Sequence, residues 1–165
     1  MPDNRAEPSE RVAEAARSRS LPIEFRRRPD AGSLAEAASL LGLEPADIVK
    51  SLVVKRSDGT YLFALIPGDR AISWPKLRAV VGVNKLRLPE ADLALQATGY
   101  ERGTITPIGS TTDWPVFADA DIVGRRIAMG AGVPGYSLFV DADALIAAYG
   151  ATVADISEAL PPRQD

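Results

Sequence analysis

The 165-residue chain contains no cysteine and no histidine. Without cysteine there is no disulfide, no thiolate nucleophile and no zinc–thiolate site. Without histidine there is no Ser-His-Asp triad and no imidazole acid, base or metal ligand. Catalysis must therefore use Asp, Glu, Lys, Ser, Thr, Tyr or Arg side chains, the backbone, or the substrate itself. Long apolar runs are also missing. None approaches the roughly 20 residues of a membrane span, and the opening MPDNRAEPSERVAEAARSRS lacks the apolar segment of a signal peptide. The expectation is a soluble, cytoplasmic protein. Positive charge is not in excess either: 19 Lys and Arg face 22 Asp and Glu, for a net charge of −3. That excludes a general nucleic-acid coat, which needs basic surface to release counterions. Arg26, Arg27 and Arg28 form one local basic run, and Arg125 and Arg126 another. A solvated charged face is the plainer reading of both.

The apolar fraction of 46% and charged fraction of 25% are globular values, and the length suits one domain. The expected layout is an N-terminal extension with a short helix over 1–20 and a single domain over 21–160. Residues 1 to about 8 are polar and expected to fray. Residues 9–18 suit a helix with Val12, Ala13, Ala15 and Ala16 on its apolar side, and Leu21 to Phe25 alternates like a strand. Pro29 to Gly32 reads as a turn. Ser33 and Glu36 spell a capping box, Leu34, Ala37, Ala38 and Leu41 share a face, and Gly42 stops that helix. Pro45 can start a single turn through Asp47. The β-rich runs 48–56 and 60–66 flank Ser57-Asp58-Gly59, a hairpin signal, and Pro67 to Arg70 reads as a loop. Helices are expected over 74–81, capped by Ser73, and from Pro89 to Gly99. Short strands are expected at 115–119, 125–129 and 136–140, then a helix over about 142–149 capped by Asp141. The class is α/β of the α+β type, with helices packed on a mixed sheet.

Four features carry potential chemistry. Lys50 shares a strand face with Leu52 and Val54, while Ser51, Val53 and Lys55 take the other. With apolar residues on both faces, the strand reads as central and Lys50 as half-buried. A buried ammonium needs a partner or a purpose, the plainer alternative being a strand-end lysine that snorkels to water. The segment Gly103-Thr104-Ile105-Thr106-Pro107-Ile108-Gly109 can bring backbone N–H groups close to an anion or an oxyanion, or be an ordinary surface loop. Gly130-Ala131-Gly132-Val133-Pro134-Gly135 lacks the spacing and following helix of a dinucleotide-binding loop, so it reads as a tight turn or the wall of a small pocket. Asp119-Ala120-Asp121 resembles the first motif of haloacid-dehalogenase-type phosphatases, which would take Mg²⁺. No lysine follows Lys85 and too little chain remains for that family's parallel domain, so the pair reads as turn chemistry.

Taken together, EAASLLGLEPADIVKSLVV at 36–54, ALIPGD at 64–69, ATGYERGTITPIG at 97–109 and GAGVPGYSLFVDADAL at 130–145 resemble the YbaK/EbsC family. Its members are similar to the editing domain inserted in bacterial prolyl-tRNA synthetases and include free-standing aminoacyl-tRNA deacylases. The resemblance implies a strongly curled mixed sheet. It also implies hydrolysis of the ester joining a small, wrongly attached amino acid to the acceptor end of tRNA, with no metal or cofactor. Lys50 stands where the family keeps its essential lysine. Lys50 and Gly103 are thereby implied as catalytic residues. Thr104, Ile105, Thr106, Pro107, Gly130, Gly132 and Gly135 are implied as substrate-binding residues. A synthetase or elongation factor is an expected partner; DNA and membrane are not. The chain departs from the family at Gly130, where many members have serine, and at Val133 and Pro134, where basic residues are common. The loop Gly103-Thr104-Ile105-Thr106-Pro107 replaces the usual G-G-x-S-P, and residues 26–33 lack the family's aromatic and histidine-bearing stretch. These departures keep a second reading open: a non-catalytic module that binds tRNA, a nucleotide or a protein.

Overall fold

The structure is a computed structural model that describes residues 8–28 and 30–161. The frayed start expected over the first residues, and Pro29 of the expected turn, lie outside the described residues apart from Pro8. Helix ends fall where the sequence punctuates them. Helix α1 (Glu10–Ser18) starts at Ser9, whose hydroxyl accepts from the Val12 N–H. Strand β1 (Glu24–Arg27) begins three residues later than Leu21, which is instead buried at the end of α1. Helix α2 (Leu34–Leu41) is capped by Ser33, and Gly42 ends it with a φ of 72°, the left-handed conformation glycine adopts freely. The Glu36 carboxylate reaches the N–H of Gly32, one residue before the cap. The turn Pro45–Asp47 then leads into β2 (Val49–Arg56).

Strand β2 pairs antiparallel with β3 (Tyr61–Pro67), from Val49 opposite Pro67 to Lys55 opposite Tyr61. The turn between them is fixed by Asp58, which accepts from both the N–H and the hydroxyl of Thr60. After β4 (Arg70–Ile72) come α3 (Trp74–Val81), β5 (Leu86–Arg87) and α4 (Ala91–Thr98). The chain returns as β6 (Val116–Asp119), β7 (Arg126–Gly130) and β8 (Tyr136–Asp141), followed by α5 (Ala142–Tyr149), β9 (Thr152–Ala154) and β10 (Ser157–Ala159).

The mixed α+β character is as expected, but the strands form three sheets rather than one strongly curled sheet. A five-stranded sheet runs β5-β2-β3-β6-β9, a three-stranded sheet runs β1-β8-β7, and β4 pairs with β10. Among the described residues one backbone bridge, Ile48 to Ala128, links the first two sheets, which also pack their side chains into the main core. The reason is that β5, only two residues long, takes the outer edge of β2, while β7 and β8 pair with each other and with β1. Strand β3 shows the strict period of two. Leu62, Ala64 and Ile66 join Leu77 of α3 in a smaller core, while Phe63 and Leu65 join the main core with Val12, Tyr100, Ile108 and Leu138.

Candidate active site

The outer edge of β2 is unpaired over most of its length. Among the described residues β5 pairs with it only at Lys55 and Arg56, and β7 makes its one backbone bridge at Ile48, just before the strand. The Arg56 N–H donates to Thr60 across the hairpin. Backbone direction alternates along a strand, so Val49, Ser51 and Val53 turn their N–H and C=O groups to the open edge. A cavity of about 660 Å³ runs along this edge. Helix α2 walls it with Leu34, Ala37 and Leu41, β7 with Ala128, Met129 and Gly130, and the segment after α4 with Arg102, Gly103 and Ile105.

Lys50 lines the cavity and is half-buried, as its strand position predicts. Its Nζ donates to the Arg70 carbonyl at 2.6 Å, which leaves two of the ammonium's three protons for other acceptors. Burial holds its pKa below that of an ordinary lysine, and the nearby Asp69 carboxylate partly offsets the shift. Among the described residues the cavity's other cations are Arg28 and Arg102, and no carboxylate lines it. Arg102 is held across the mouth by donating to the Pro89 carbonyl at 2.7 Å. Ser51 also lines the wall, and its buried hydroxyl has no hydrogen-bond partner among the described residues.

The two glycine-rich loops singled out in the sequence form one structure. The Gly132 N–H donates to the Thr104 carbonyl at 2.8 Å. A side chain at Gly130 would meet the Ile105 carbonyl at 2.5 Å or less, so the close seat of the loop on β7 requires glycine there. The Tyr100 hydroxyl donates to the Ile108 carbonyl at 2.7 Å and pins the far end of the loop. Burial pushes the Tyr100 pKa up to about 12, against the pull of Arg11. Thr104 donates its hydroxyl to the Glu101 carbonyl, and the Thr106 hydroxyl accepts from the Ile108 N–H. Gly103 takes a φ of 93°. Among the described residues no acceptor takes the N–H of Gly103 or Ile105. Both residues line the cavity, so both N–H groups are candidates for an incoming oxygen.

The structure therefore brings Lys50, Gly103, Ile105 and Gly130 together around one cavity. Thr104, Thr106 and Pro107 are buried in the loop and do not line it. Gly132 packs against α1 and the Tyr100 ring, and Gly135 is exposed, its carbonyl accepting from the Arg28 N–H at 2.8 Å. Arg28, Ser51, Arg102 and Ser137 join the wall without any motif to announce them. Asp119 and Asp121 lie elsewhere. Asp119 is 1% exposed and accepts from the N–H groups of Asp121 and Ile156, which is turn chemistry as read from the sequence. Among the described residues no group of three or more Asp and Glu side chains could hold a metal ion, and no helix is long and apolar enough to cross a membrane.

Residues 28–148 match the model of the aminoacyl-tRNA editing domain, and the chain belongs to that family. It is 32% identical to the proline–tRNA ligase of Heliobacterium modesticaldum over 119 residues, 72% of this chain and 20% of the ligase. It is 36% identical to that of Shouchella clausii over 115 residues, 69% of this chain and 20% of the ligase. The chain thus spans about a fifth of the length of the curated relatives it matches. Among solved structures, a candidate trans-editing enzyme for prolyl-tRNA synthetase superposes with a TM-score of 0.83 at 29% identity, over 93% of this chain and 99% of that one. The resemblance drawn from the four sequence segments is confirmed.

Proposed function

We propose that the protein is a trans-acting aminoacyl-tRNA deacylase that removes a small, wrongly attached amino acid without a metal ion, in the cytoplasm. One observation carries this reading: Lys50, the open edge of β2 and the N–H groups of Gly103 and Ile105 meet in a cavity that holds cations and no carboxylate. The reaction adds water to the ester carbonyl. The water oxygen bonds to the carbonyl carbon, the ester C–O bond breaks, and the ribose oxygen leaves with a proton. In such a cavity the loop N–H groups stabilise the oxyanion as it forms, and the Lys50 ammonium holds a phosphate or carbonyl oxygen. With no histidine in the chain and no carboxylate in the wall, water is activated by backbone groups and the terminal ribose hydroxyl. Glycines at 103 and 130 in the cavity wall suit a short amino-acid side chain. Delivery of the charged tRNA by a synthetase or an elongation factor belongs to the same reading.

The test is a deacylation panel of tRNAs charged with Ala, Ser, Thr, Cys and Pro, with EDTA present. The expected result is hydrolysis of one or a few of them, unaffected by EDTA. Saturable tRNA binding with no turnover on any would instead assign a binding module on the same fold.

A further inference from the structure

Apart from Arg28, which lines the cavity, the arginines of the two basic runs are matched at the surface by acids or aromatic rings. Arg26 pairs with Glu24 at 3.0 Å and lies over the Phe139 ring, and Arg27 lies over Tyr136. Arg125 pairs with Asp47 at 3.1 Å, and Arg126 with both Glu24 and Asp141. A different basic surface exists. Lys55, Arg56, Arg78, Lys85 and Arg87 surround a groove of about 500 Å³ at the far end of β2 from Lys50. They are five of the chain's 19 Lys and Arg residues. Among the described residues none of the five has an acidic partner within salt-bridge distance, whereas Arg17, Arg19, Arg70 and Lys76 each do. Asp58, at the rim, spends a carboxylate oxygen on Thr60.

The fold concentrates these charges against electrostatic preference. Lys55 and Arg87 are direct cross-strand partners, and like charges in that position are destabilising. A polyanion reverses the sign of that interaction. The groove and the cavity share no lining residue but are neighbours along the chain. Both lie along β2, and the chain from Leu86 to Pro89 passes from one wall to the other. From Lys50 to Lys55 is about 17 Å at the rise of a strand, about five stacked nucleotides at 3.4 Å each. Resting on the function proposed above, we infer that this groove is the docking surface for the RNA backbone, gripping phosphates about five nucleotides in from the aminoacylated end held at Lys50.

The experiment measures binding of uncharged tRNA to wild type and to the double variant Arg56→Glu/Lys85→Glu between 50 and 200 mM salt. Arg26→Glu serves as a charge-reversal control away from the groove, and thermal melting checks the fold. The double variant is expected to bind at least about tenfold more weakly, with a salt slope shallower by about 1.5, while Arg26→Glu binds like wild type. An unchanged affinity and slope in the double variant would overturn the inference, as would an equal loss in Arg26→Glu or no wild-type binding at 50 mM salt. Polyglutamate bound as tightly as tRNA, at the same residues, would overturn it in favour of an acidic protein surface. Groove-dependent tRNA binding by a protein that hydrolyses no charged tRNA would keep the docking surface and remove the proposed activity.

Discussion

At the start of β2, Lys50 is half-buried, donates to a carbonyl 2.6 Å away and borders the cavity. At its end, Lys55 stands opposite Arg87 in an open groove with three more cations. The same residue type thus works in two dielectric settings along one strand. Partial desolvation makes the Lys50 ammonium at the cavity stronger and more position-sensitive than a fully hydrated charge. In the groove the charges are hydrated, each contributes little alone, and salt weakens them together. The first setting suits chemistry on one ester; the second suits grip on a long polyanion.

Substitutions can break or sharpen this contrast. The largest effect is expected at the cavity, where Lys50→Ala lowers the hydrolytic rate by about 10²–10³-fold, the usual loss when a preorganised charge is removed. Next is Gly130→Ala. Its methyl group runs into the Ile105 carbonyl, so the loop must move, and a shift of about 1 Å costs about 10²-fold in rate. Rapid-quench kinetics on a charged tRNA would show both as losses in kcat. The groove is expected to respond differently, with Arg56→Glu/Lys85→Glu raising KM about tenfold and flattening its salt dependence. The smallest effect belongs to the scaffold: Tyr100→Phe removes the bond to Ile108 and costs about 1 kcal/mol in denaturant unfolding at neutral pH.

Tyr100 also gives a pH signature. Its folded pKa, pushed up to about 12, lies above that of an exposed tyrosine near 10. The neutral phenol therefore adds stability below pH 10 that is lost as pH rises from 10 through 12, about 2–3 kcal/mol in all. Unfolding of Tyr100→Phe over that range should lack this loss.

Much of the fold was legible because short-range chemistry fixes it. Ser33 and Ser73 cap their helices by hydroxyls, and Gly42, Gly82, Gly99 and Gly150 end theirs with positive φ. Strands β4, β5, β9 and β10 were not legible. Each is two or three residues long, too short for an alternating pattern, and exists only because a distant partner pairs with it. The division into three sheets was hidden for the same reason. At the site, Lys50 and the two glycine loops carried a local signal. Ser51 and Arg102 did not, because nothing in their neighbours distinguishes them from surface residues, and Arg28 was visible only as the end of a basic run. The charge pattern was legible only in part. Consecutive arginines at 26–28 and 125–126 drew attention, yet most of these are matched by acids or rings, while the groove is assembled from β2, α3 and the segment around β5.

The most direct test is single-turnover hydrolysis of the charged tRNA at saturating enzyme, comparing wild type with Lys50→Ala, alongside the Kd of each for uncharged tRNA. The account predicts a rate about 10²–10³-fold lower in Lys50→Ala with Kd unchanged, because the ammonium acts on the ester and the groove holds the RNA. An undiminished rate in Lys50→Ala would contradict it.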